Sequence, residues 1–409
     1  MKWSPQQDAA LLAVKHWLES GTEQVFRVFG FAGTGKTTLA QYFAEGVEGQ
    51  VLAGAYTGKA AHVLRQKGFE GATTLHSLIY HAKEKSRAKL LELEAQLGTL
   101  KNELRTDGMP LEEVEQHRRV KDLKELIAKE HTNAARPMFS LNTDSVVKDA
   151  ALVVVDEVSM VDEQMGLDLL SFDTKVLVLG DPAQLPPVFG SGYFTENAKP
   201  DVMLTEIHRQ AGDNPIIDMA TRVRLGKKLK LGTYGSSRVI KTDDLSAEIA
   251  LEVDQILVGR NLTRFSYNER IRQLHKRIGQ LPEKGDRLVC LRNNHDIGLL
   301  NGAIWYVDEF LGDTGDRVGL NVTPEDGGDL LTVDAHAHYF YGNGKDLPWW
   351  ERKEAEEFDY GYALTCHKSQ GSQWDDVLVL DESYCFRQDR NRWLYTAITR
   401  AAERVTIAN

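Results

Sequence analysis

Four apolar runs in the first half of the chain have the pattern of buried strands. They lie at residues 25–29, 51–56, 151–155 and 175–179, and polar positions hardly interrupt them. Strands of this kind are buried on both faces, as in a parallel sheet that helices cover on each side. Such sheets carry their chemistry at the carboxyl ends of the strands. We therefore expect functional residues directly after these runs.

Residues 81–136 have a different pattern, in which leucines recur at alternating spacings of three and four. The first seam consists of Leu90, Leu93, Leu97, Leu100 and Leu104. The second seam runs through Val114, Val120, Leu123 and Ile127. This spacing predicts an antiparallel helical hairpin whose first arm is about 35 Å long. Two interpretations stay open: a stalk or surface decoration that other proteins bind, and an arm that contacts the substrate.

The second half repeats the parallel-sheet pattern, with aliphatic runs at residues 255–258 and 376–380. Short apolar runs separated by Gly, Asp and Asn lie between them, a spacing typical of a small β-barrel. The pattern predicts an α/β protein of two parallel-sheet lobes, with a helical hairpin inserted in the first and a β-barrel in the second. We assign residues 1–80 and 137–200 to the first lobe, 81–136 to the hairpin, 201–281 and 347–409 to the second lobe, and 282–346 to the barrel.

Composition narrows the possible classes of protein. The chain has 409 residues, 42% hydrophobic and 27% charged, which is typical of a globular protein of more than one domain. No apolar run approaches the roughly 18 residues of a membrane span. Three cysteines without C-x-x-C spacing argue against a disulfide scaffold and indicate the reducing cytoplasm. Because the net charge is −11, any contact with nucleic acid must come from a local basic groove.

Residues 30–37, Gly-Phe-Ala-Gly-Thr-Gly-Lys-Thr, fit the phosphate-binding pattern G-x-x-x-x-G-K-[ST] between a predicted strand and helix. Small residues allow backbone N–H groups to surround a phosphate. Lys36 can neutralise the β- and γ-oxygens, and the Thr37 hydroxyl can bind Mg²⁺. The pattern therefore predicts a nucleoside triphosphate site. Its expected binding residues are Gly33, Thr34, Gly35, Lys36, Thr37 and Thr38.

Three polar residues after later strands complete this site. Asp156 can hold Mg²⁺, and Glu157 can act as the base for an attacking water. Gln184, in a proline-rich turn, can bind both the γ-phosphate and that water. Taken alone, the acid pair is as compatible with a solvated turn as with a catalytic site, and a structural turn is the alternative for Gln184. Together with the phosphate-binding loop they favour hydrolysis over transfer to a small molecule.

The order of these motifs resembles superfamily 1 helicases. Residues 156–160 (Asp-Glu-Val-Ser-Met) and 180–187 (Gly-Asp-Pro-Ala-Gln-Leu-Pro-Pro) are similar to its RecD/Dda-like branch, superfamily 1B. Further family motifs match residues 57–61, 74–78, 204–210, 362–372 and 394–401. The resemblance covers nearly the whole chain except the predicted hairpin. It implies two RecA-like lobes and an SH3-like barrel.

The resemblance also implies roles for single residues. Gln7 matches the glutamine that reads adenine, which makes ATP the expected nucleotide. Arg209 and Arg400 match arginine fingers, and both lie outside the phosphate-binding lobe, so they can reach ATP only when the second lobe closes on it. The residues that match positions near single-stranded DNA are Thr57, Lys59, His76, Thr365, His367 and Lys368. Such contacts are mainly to phosphate and sugar, and hence indifferent to sequence.

The leading hypothesis is an ATP- and Mg²⁺-dependent DNA helicase or translocase that moves 5′→3′, a direction implied by the resemblance alone. Its expected substrates are single-stranded and forked duplex DNA, and we expect a monomer without membrane contact. One alternative is a translocase that displaces proteins with little unwinding. Another is a non-catalytic NTP-binding adaptor that presents the hairpin to a replication or recombination protein. Family members separate duplexes with a β-hairpin pin, and the predicted helical hairpin occupies that position here, so its tip at residues 107–110 could act as the wedge or contact the barrel.

Three weaker groups of candidates each have two interpretations. A basic cluster could extend the DNA groove or form a solvated face: Arg222, Arg224, Lys227, Lys228 and Lys230. A second group could contact the strand or the interface between lobes: Asn261, Arg264 and Asn268. Three tryptophans could stack on bases or pack in the core: Trp349, Trp350 and Trp374.

Overall fold

The computed structural model describes residues 3–83, 88–135, 138–187, 190–196, 199–206 and 214–409. Up to residue 206, its helices and strands are α1 (Pro5–Ser20), β1 (Val25–Gly30), α2 (Lys36–Ala44), β2 (Val51–Ala55), α3 (Gly58–Gln66), β3 (Thr73–Thr74), α4 (Leu75–Ile79), β4 (Tyr80–Lys83), α5 (Ala88–Thr106), α6 (Leu111–Gln116), α7 (Arg118–Ala135), β5 (Met138–Leu141), β6 (Leu152–Asp156), α8 (Glu163–Leu170), β7 (Val176–Gly180) and β8 (Val202–Leu204).

From residue 214 onwards, the helices and strands are α9 (Pro215–Arg224), β9 (Gly232–Tyr234), β10 (Ser237–Ile240), α10 (Ala247–Glu252), β11 (Gln255–Val258), α11 (Asn261–Leu274), β12 (Arg287–Cys290), β13 (Ile304–Asp313), β14 (Arg317–Pro324), β15 (Leu331–His336), α12 (Ala337–Phe340), α13 (Trp349–Arg352), β16 (Phe358–Tyr360), β17 (Ala363–Thr365), β18 (Trp374–Leu380), α14 (Arg390–Ile398) and β19 (Ala401–Ala408).

The first lobe is built on a parallel sheet with the strand order β3-β2-β6-β7-β1-β8. Successive residues of β6 point to opposite faces, so that Val154 enters one apolar core and Val153 and Val155 the other. Because both faces are buried, residues 152–155 of this strand are all apolar, and the predicted parallel sheet is confirmed. The carboxyl ends of β1, β6 and β7 meet at one edge, where the phosphate-binding loop, Glu157 and Gln184 follow.

Helices α5, α6 and α7 form an insertion between β4 and β5, which pair antiparallel at its base. Leu100, Val114 and Val120 are buried at the contact between the helices. Glu115 forms ion pairs with Lys101, at 2.7 Å, and with Lys124. The second seam is broken at His117, where extended backbone separates α6 from α7. Helix α7 lies against Gly344–Asp346, in the segment after α12.

The second lobe is built on a sheet with the order β17-β11-β18-β19-β10-β9, in which only the pairing of β9 with β10 is antiparallel. A five-stranded antiparallel sheet, ordered β15-β14-β13-β12-β16, interrupts this lobe. A bridge between Ala335 of β15 and Glu356, just before β16, brings its two edges together. The sheet therefore curls around its own apolar core.

Strand pairing places two segments in a different domain from the one predicted from the sequence. Val202–Leu204 pairs with β1 and belongs to the first sheet, and Phe358–Tyr360 pairs with β12 and belongs to the five-stranded sheet. From the sequence both segments were expected in the second lobe, because apolar runs do not reveal their pairing partners. Within the described ranges, no helix combines the length and apolarity needed to cross a bilayer.

Candidate functional site

The loop between β1 and α2 has the geometry of an anion site. Gly33 and Gly35 have φ of 81° and 79°, in the left-handed region that side chains rarely adopt. Lys36 turns its Nζ back over the loop and donates to the carbonyl oxygens of Gly30, at 2.8 Å, and Phe31, at 3.2 Å. A helix N-terminus with an adjacent ammonium group favours a phosphate at this position.

Gln7 of α1 lies beside this loop. Its Oε1 accepts from the N–H of Ser4, and its Nε2 donates to the carbonyl of Thr34 at 3.2 Å. The side chain is buried and ties the start of α1 to the phosphate-binding loop. Its predicted contact with an adenine base stays a prediction.

Thr37 and Asp156 meet where β6 ends. The Thr37 hydroxyl donates to Asp156 Oδ2 at 2.8 Å, and the other carboxylate oxygen accepts from the backbone N–H of Glu157. A hydroxyl and a carboxylate side by side are oxygen ligands of the kind that Mg²⁺ binds together with phosphate oxygens and water. These two residues therefore fit the predicted metal.

Glu157 has a backbone conformation that is unusual for glutamate. Its φ and ψ are 54° and 43°, in the left-handed region, which costs on the order of 1–3 kcal/mol and is found mostly at functional sites. Burial raises the pKa of the Glu157 carboxyl, and the nearby charge of Arg400 opposes this rise. Because Arg400 belongs to the second lobe, the electrostatics of this carboxyl already depend on both lobes.

Gln184 is held in the turn after β7. Its backbone N–H donates to the carbonyl of Asp181 at 3.1 Å, and Asp181 Oδ1 accepts from the N–H of Ala183 at 3.0 Å. The Gln184 side chain is buried, yet no donor among the described residues reaches its Oε1. A buried acceptor without a partner at the edge of a cavity suits a residue that binds water or substrate.

Arg400 approaches the same space from the second lobe, between α14 and β19. The guanidinium is buried and donates to the carbonyl oxygens of Thr396 and Ser372, both at 3.2 Å. It lines a cavity of about 650 Å³ together with Lys36, Thr37, Asp156, Glu157 and Gln184. The structure thus brings these predicted residues together. Arg209 lies outside the described residues.

Two further residues of this cavity were not assigned to it by the sequence analysis. Tyr395 of α14 accepts from the N–H of Ala32 and donates to Asp181 Oδ2 at 2.6 Å. Arg224 of α9 stacks on the ring of Phe31, with 3.6 Å from Cζ to the ring centroid. Arg224 thus has a partner in the phosphate-binding loop, and its interpretation as an extension of the DNA groove stays a prediction. Tyr395 lies inside a recognised motif, but spacing along the chain could not show that its hydroxyl crosses to the first lobe.

The candidate DNA contacts of the first lobe follow β2 and β3. Thr57 accepts from the N–H of Ala60 and caps α3. Lys59 forms an ion pair with Asp326 of the five-stranded sheet, so its ammonium has a protein partner. The ring of His76 packs against Phe139, at 5.1 Å between ring centroids, and burial lowers its pKa.

The candidates of the second lobe follow β17. Thr365 is half-buried, Lys368 is exposed, and the half-buried ring of His367 lies 5.7 Å from that of Phe386. Six residues after Thr365, Gly371 packs so closely on α3 that an added Cβ would lie 3.2 Å from Thr57 Oγ1. The two candidate loops are therefore neighbours, and their contact with DNA stays a prediction.

Three of the other candidates have hydrogen-bonding partners inside the protein. Arg264 forms a buried ion pair with Asp359 of β16 at 2.8 Å, and Asn268 donates to the carbonyl of Tyr360. These bonds join α11 to the five-stranded sheet, and a role in holding a strand is not indicated. Trp374 is buried and its indole donates to Glu325 at 3.1 Å, which agrees with packing rather than base stacking.

Two family models match parts of this chain. A family model described as an AAA domain matches residues 3–244. A model described as a UvrD-like helicase C-terminal domain matches residues 360–408. The first match contains the phosphate-binding loop, the acid pair and Gln184, and the second contains Arg400 and Tyr395.

Individual relatives agree with these matches. The chain is 32% identical over 278 residues to the ATP-dependent RecD2 DNA helicase of Deinococcus radiodurans. The aligned region covers 62% of this chain and 35% of the relative. The chain is 25% identical over 295 residues to the RecBCD enzyme subunit RecD of Mycolicibacterium smegmatis, covering 63% of this chain and 49% of the relative. The chain therefore spans less than half the length of these curated relatives.

Solved structures show the same fold. A structure of two coordinating Pif1 helicases at forked double-stranded DNA covers 99% of this chain and 92% of that chain, with a TM-score of 0.54 and 16% sequence identity. At this identity the likeness concerns the fold, which has two RecA-like lobes.

Proposed function

We propose that this chain, which belongs to the RecD- and Pif1-like helicases of superfamily 1B, hydrolyses ATP to move 5′→3′ along single-stranded DNA and to separate duplex strands. The main support for this proposal is that Lys36 of the first lobe and Arg400 of the second line the same cavity. A nucleotide held there would contact both lobes at once. Its binding and hydrolysis would therefore change how the lobes sit against each other, which is the movement that a translocating motor needs.

The roles of the cavity residues follow from their chemistry. Lys36 and the N–H groups of the loop would bind the phosphates, and Glu157 would accept the proton of the attacking water. Gln184 would orient that water, and Arg400 would neutralise charge that develops on the γ-phosphate. Mg²⁺, when held by Thr37 and Asp156, would screen the phosphate oxygens.

The proposed DNA track crosses the segments that follow β2 and β3 in the first lobe and β17 in the second. Its residues are Thr57, Lys59, His76, Thr365, His367 and Lys368. The partners are single-stranded and forked duplex DNA, bound through phosphate and sugar without sequence preference. We further propose that the five-stranded sheet is an SH3-like barrel and that the helices α5–α7 are a substrate arm or the docking site of a replication or recombination protein. A monomeric state and a cytoplasmic location stay predictions.

The experiment that tests the proposal measures ATP turnover with and without oligo-dT, and strand separation on forks that carry a single 5′ or 3′ tail. We expect oligo-dT to stimulate turnover and only the 5′-tailed fork to be unwound. Stimulated turnover without unwinding, but with removal of a protein block from the strand, would favour the translocase that displaces proteins. ATP binding without any turnover would favour the adaptor, although a complete set of Lys36, Glu157, Gln184 and Arg400 argues for catalysis.

A further inference from the structure

The phenol of Tyr395 crosses from the second lobe into the first. Tyr395 is 3% exposed and lies on α14, five residues before Arg400. Its hydroxyl accepts from the N–H of Ala32 in the phosphate-binding loop at 3.2 Å and donates to Asp181 Oδ2 at 2.6 Å. One hydroxyl thus connects two loops of the first lobe that follow different strands, β1 and β7.

Asp181 in turn determines the shape of the turn that presents Gln184. Asp181 is 1% exposed, and its second carboxylate oxygen accepts from the N–H of Ala183. The carbonyl of the same residue accepts from the N–H of Gln184. A shift of Asp181 would therefore move the backbone of Gln184, the residue whose Oε1 is left without a donor among the described residues.

The second lobe also holds the other side of Gln184. The hydroxyl of Thr396, next to Tyr395 on α14, accepts from the N–H of Leu185 at 2.9 Å. The side chain of Gln370 donates to the carbonyl of Leu185 at 3.1 Å. The second lobe therefore contacts the chain on both sides of Gln184. Helix α14 makes one contact on each side, through Tyr395 to Asp181 and through Thr396 to Leu185.

The phenol is suited to this connection because it can donate and accept at once. Burial and the charge of Asp181 both raise the pKa of Tyr395, so the hydroxyl keeps its proton and donates it to the carboxylate. Phenylalanine at this position would leave a buried carboxylate oxygen without its donor and the Ala32 N–H without its acceptor. Unpaired buried groups of this kind are costly, so the two loops would be expected to shift.

We propose that Tyr395 is a positioning residue, which aligns Gln184 with the phosphate-binding loop only when α14 of the second lobe is docked on the first. This inference rests on the proposed hydrolysis of ATP, since it assigns the hydroxyl an effect on that reaction. In this arrangement Arg400 supplies positive charge to the site, and Tyr395 aligns Gln184 with the phosphate-binding loop. Both are carried by the same short segment, so one movement of the lobe would bring both into place.

A purely structural role for Tyr395 predicts a different result from a positioning role. If the phenol only stabilises the fold, its loss should reduce activity by the same factor whether or not Gln184 is present. If it acts through Gln184, its loss should matter little once the Gln184 side chain has been removed. A double-mutant cycle separates these two cases.

The experiment compares the unaltered chain with Tyr395→Phe, Gln184→Ala and the double variant in steady-state ATP turnover with saturating oligo-dT. We expect Tyr395→Phe to lower kcat roughly tenfold or more and to leave the KM for ATP nearly unchanged. In the Gln184→Ala background, we expect the same substitution to lower kcat by less than about twofold. Tyr384→Phe, at a tyrosine that is 59% exposed, is the matched control and should behave like the unaltered chain.

Losses that multiply in the double variant, or an unchanged kcat in Tyr395→Phe, would overturn the proposal. Binding of a fluorescent ATP analogue reports whether Tyr395→Phe is folded, and if it is not, Asp181→Asn replaces it in the same cycle because it weakens the same bond. An unaltered chain without ATP turnover would instead contradict the proposed function, so the two failures can be told apart.

Discussion

Lys59 at the start of α3 and Asp326 in the turn between β14 and β15 form an ion pair that ties the first lobe to the five-stranded sheet of the second. The Lys59 side chain is 15% exposed and that of Asp326 45%. The pair lies at the rim of the cavity that holds the phosphate-binding loop. Lys59 is also a candidate for binding a DNA phosphate, so Asp326 and DNA are expected to compete for one ammonium group.

Asp326→Asn should therefore strengthen DNA binding. Removal of the competing carboxylate frees Lys59, and since partly exposed ion pairs contribute about 0–1 kcal/mol, we expect the Kd for oligo-dT to fall up to about fivefold at low salt. Fluorescence anisotropy without nucleotide measures this change. Asp329→Asn, at a nearby exposed carboxylate, is the control. An equal effect of both variants would mean that only the general charge of the turn matters.

Arg400→Ala should separate nucleotide binding from hydrolysis. The guanidinium is supplied across the cleft, so its loss should leave the phosphate-binding loop intact, whereas arginine fingers contribute about 10³–10⁵ in rate. We expect an ATP analogue to bind within a few-fold of normal while single-turnover hydrolysis nearly disappears. Lys36→Ala should differ by weakening the binding step itself. Normal hydrolysis in Arg400→Ala would contradict catalysis by the closed cleft.

Removal of the helical insertion should distinguish the two interpretations of α5–α7. Strands β4 and β5 pair antiparallel, with Lys83 opposite Met138, so residues 84–137 can be replaced by an Asn-Gly turn that closes the hairpin. We expect DNA-stimulated ATP turnover to persist and unwinding of a forked duplex to fall sharply. Unwinding at the normal rate would show that the insertion does not act on the substrate and would favour a docking role.

Lys368→Ala should reduce the salt dependence of DNA binding. Lys368 is exposed in the loop after β17, where the family match predicts a phosphate contact. Loss of one such contact should weaken the binding of all sequences similarly and lower the slope of log K against log salt by about one. Titrations of oligo-dT at several salt concentrations measure the slope. Lys148→Ala, before β6 and thus at the opposite edge of the sheet, should leave it unchanged.

His367 should contact DNA as a neutral ring. Burial lowers the pKa of its imidazole below the usual value of 6.5, and Asp389 opposes this shift. An imidazole is mostly protonated only when the pH is below its pKa. Because the pKa of His367 lies below 6.5, its ring is neutral near pH 7. We expect His367→Gln to show the same pH dependence of oligo-dT affinity as the unaltered chain between pH 8 and about 6.5. A loss of affinity on raising the pH through this range, absent in the variant, would show that the charged form binds.

Much of the architecture and the chemistry of the site could be predicted from local pattern. Val153–Val155 had to lie in a strand buried on both faces, because no polar position interrupts the run. Residues 30–37 had to form a phosphate-binding loop, because the glycines, the lysine and the flanking elements act over a few residues. The position of Lys36, Thr37, Asp156, Glu157 and Gln184 at one sheet edge followed from the rule that parallel strands end together.

Other features were decided by contacts between distant segments. The pairing of β8 and β16, the ion pair of Lys59 and the bond from Tyr395 to Asp181 leave no local pattern in the chain. Tyr395 and Asp181 are separated by 214 residues, and only the docking of one lobe on the other brings them within hydrogen-bonding distance. The amino-acid sequence thus determined which groups are available for the proposed binding and hydrolysis of a nucleotide. Tertiary packing decided which groups meet, because hydrogen bonds and ion pairs depend on distances that local periodicity does not specify.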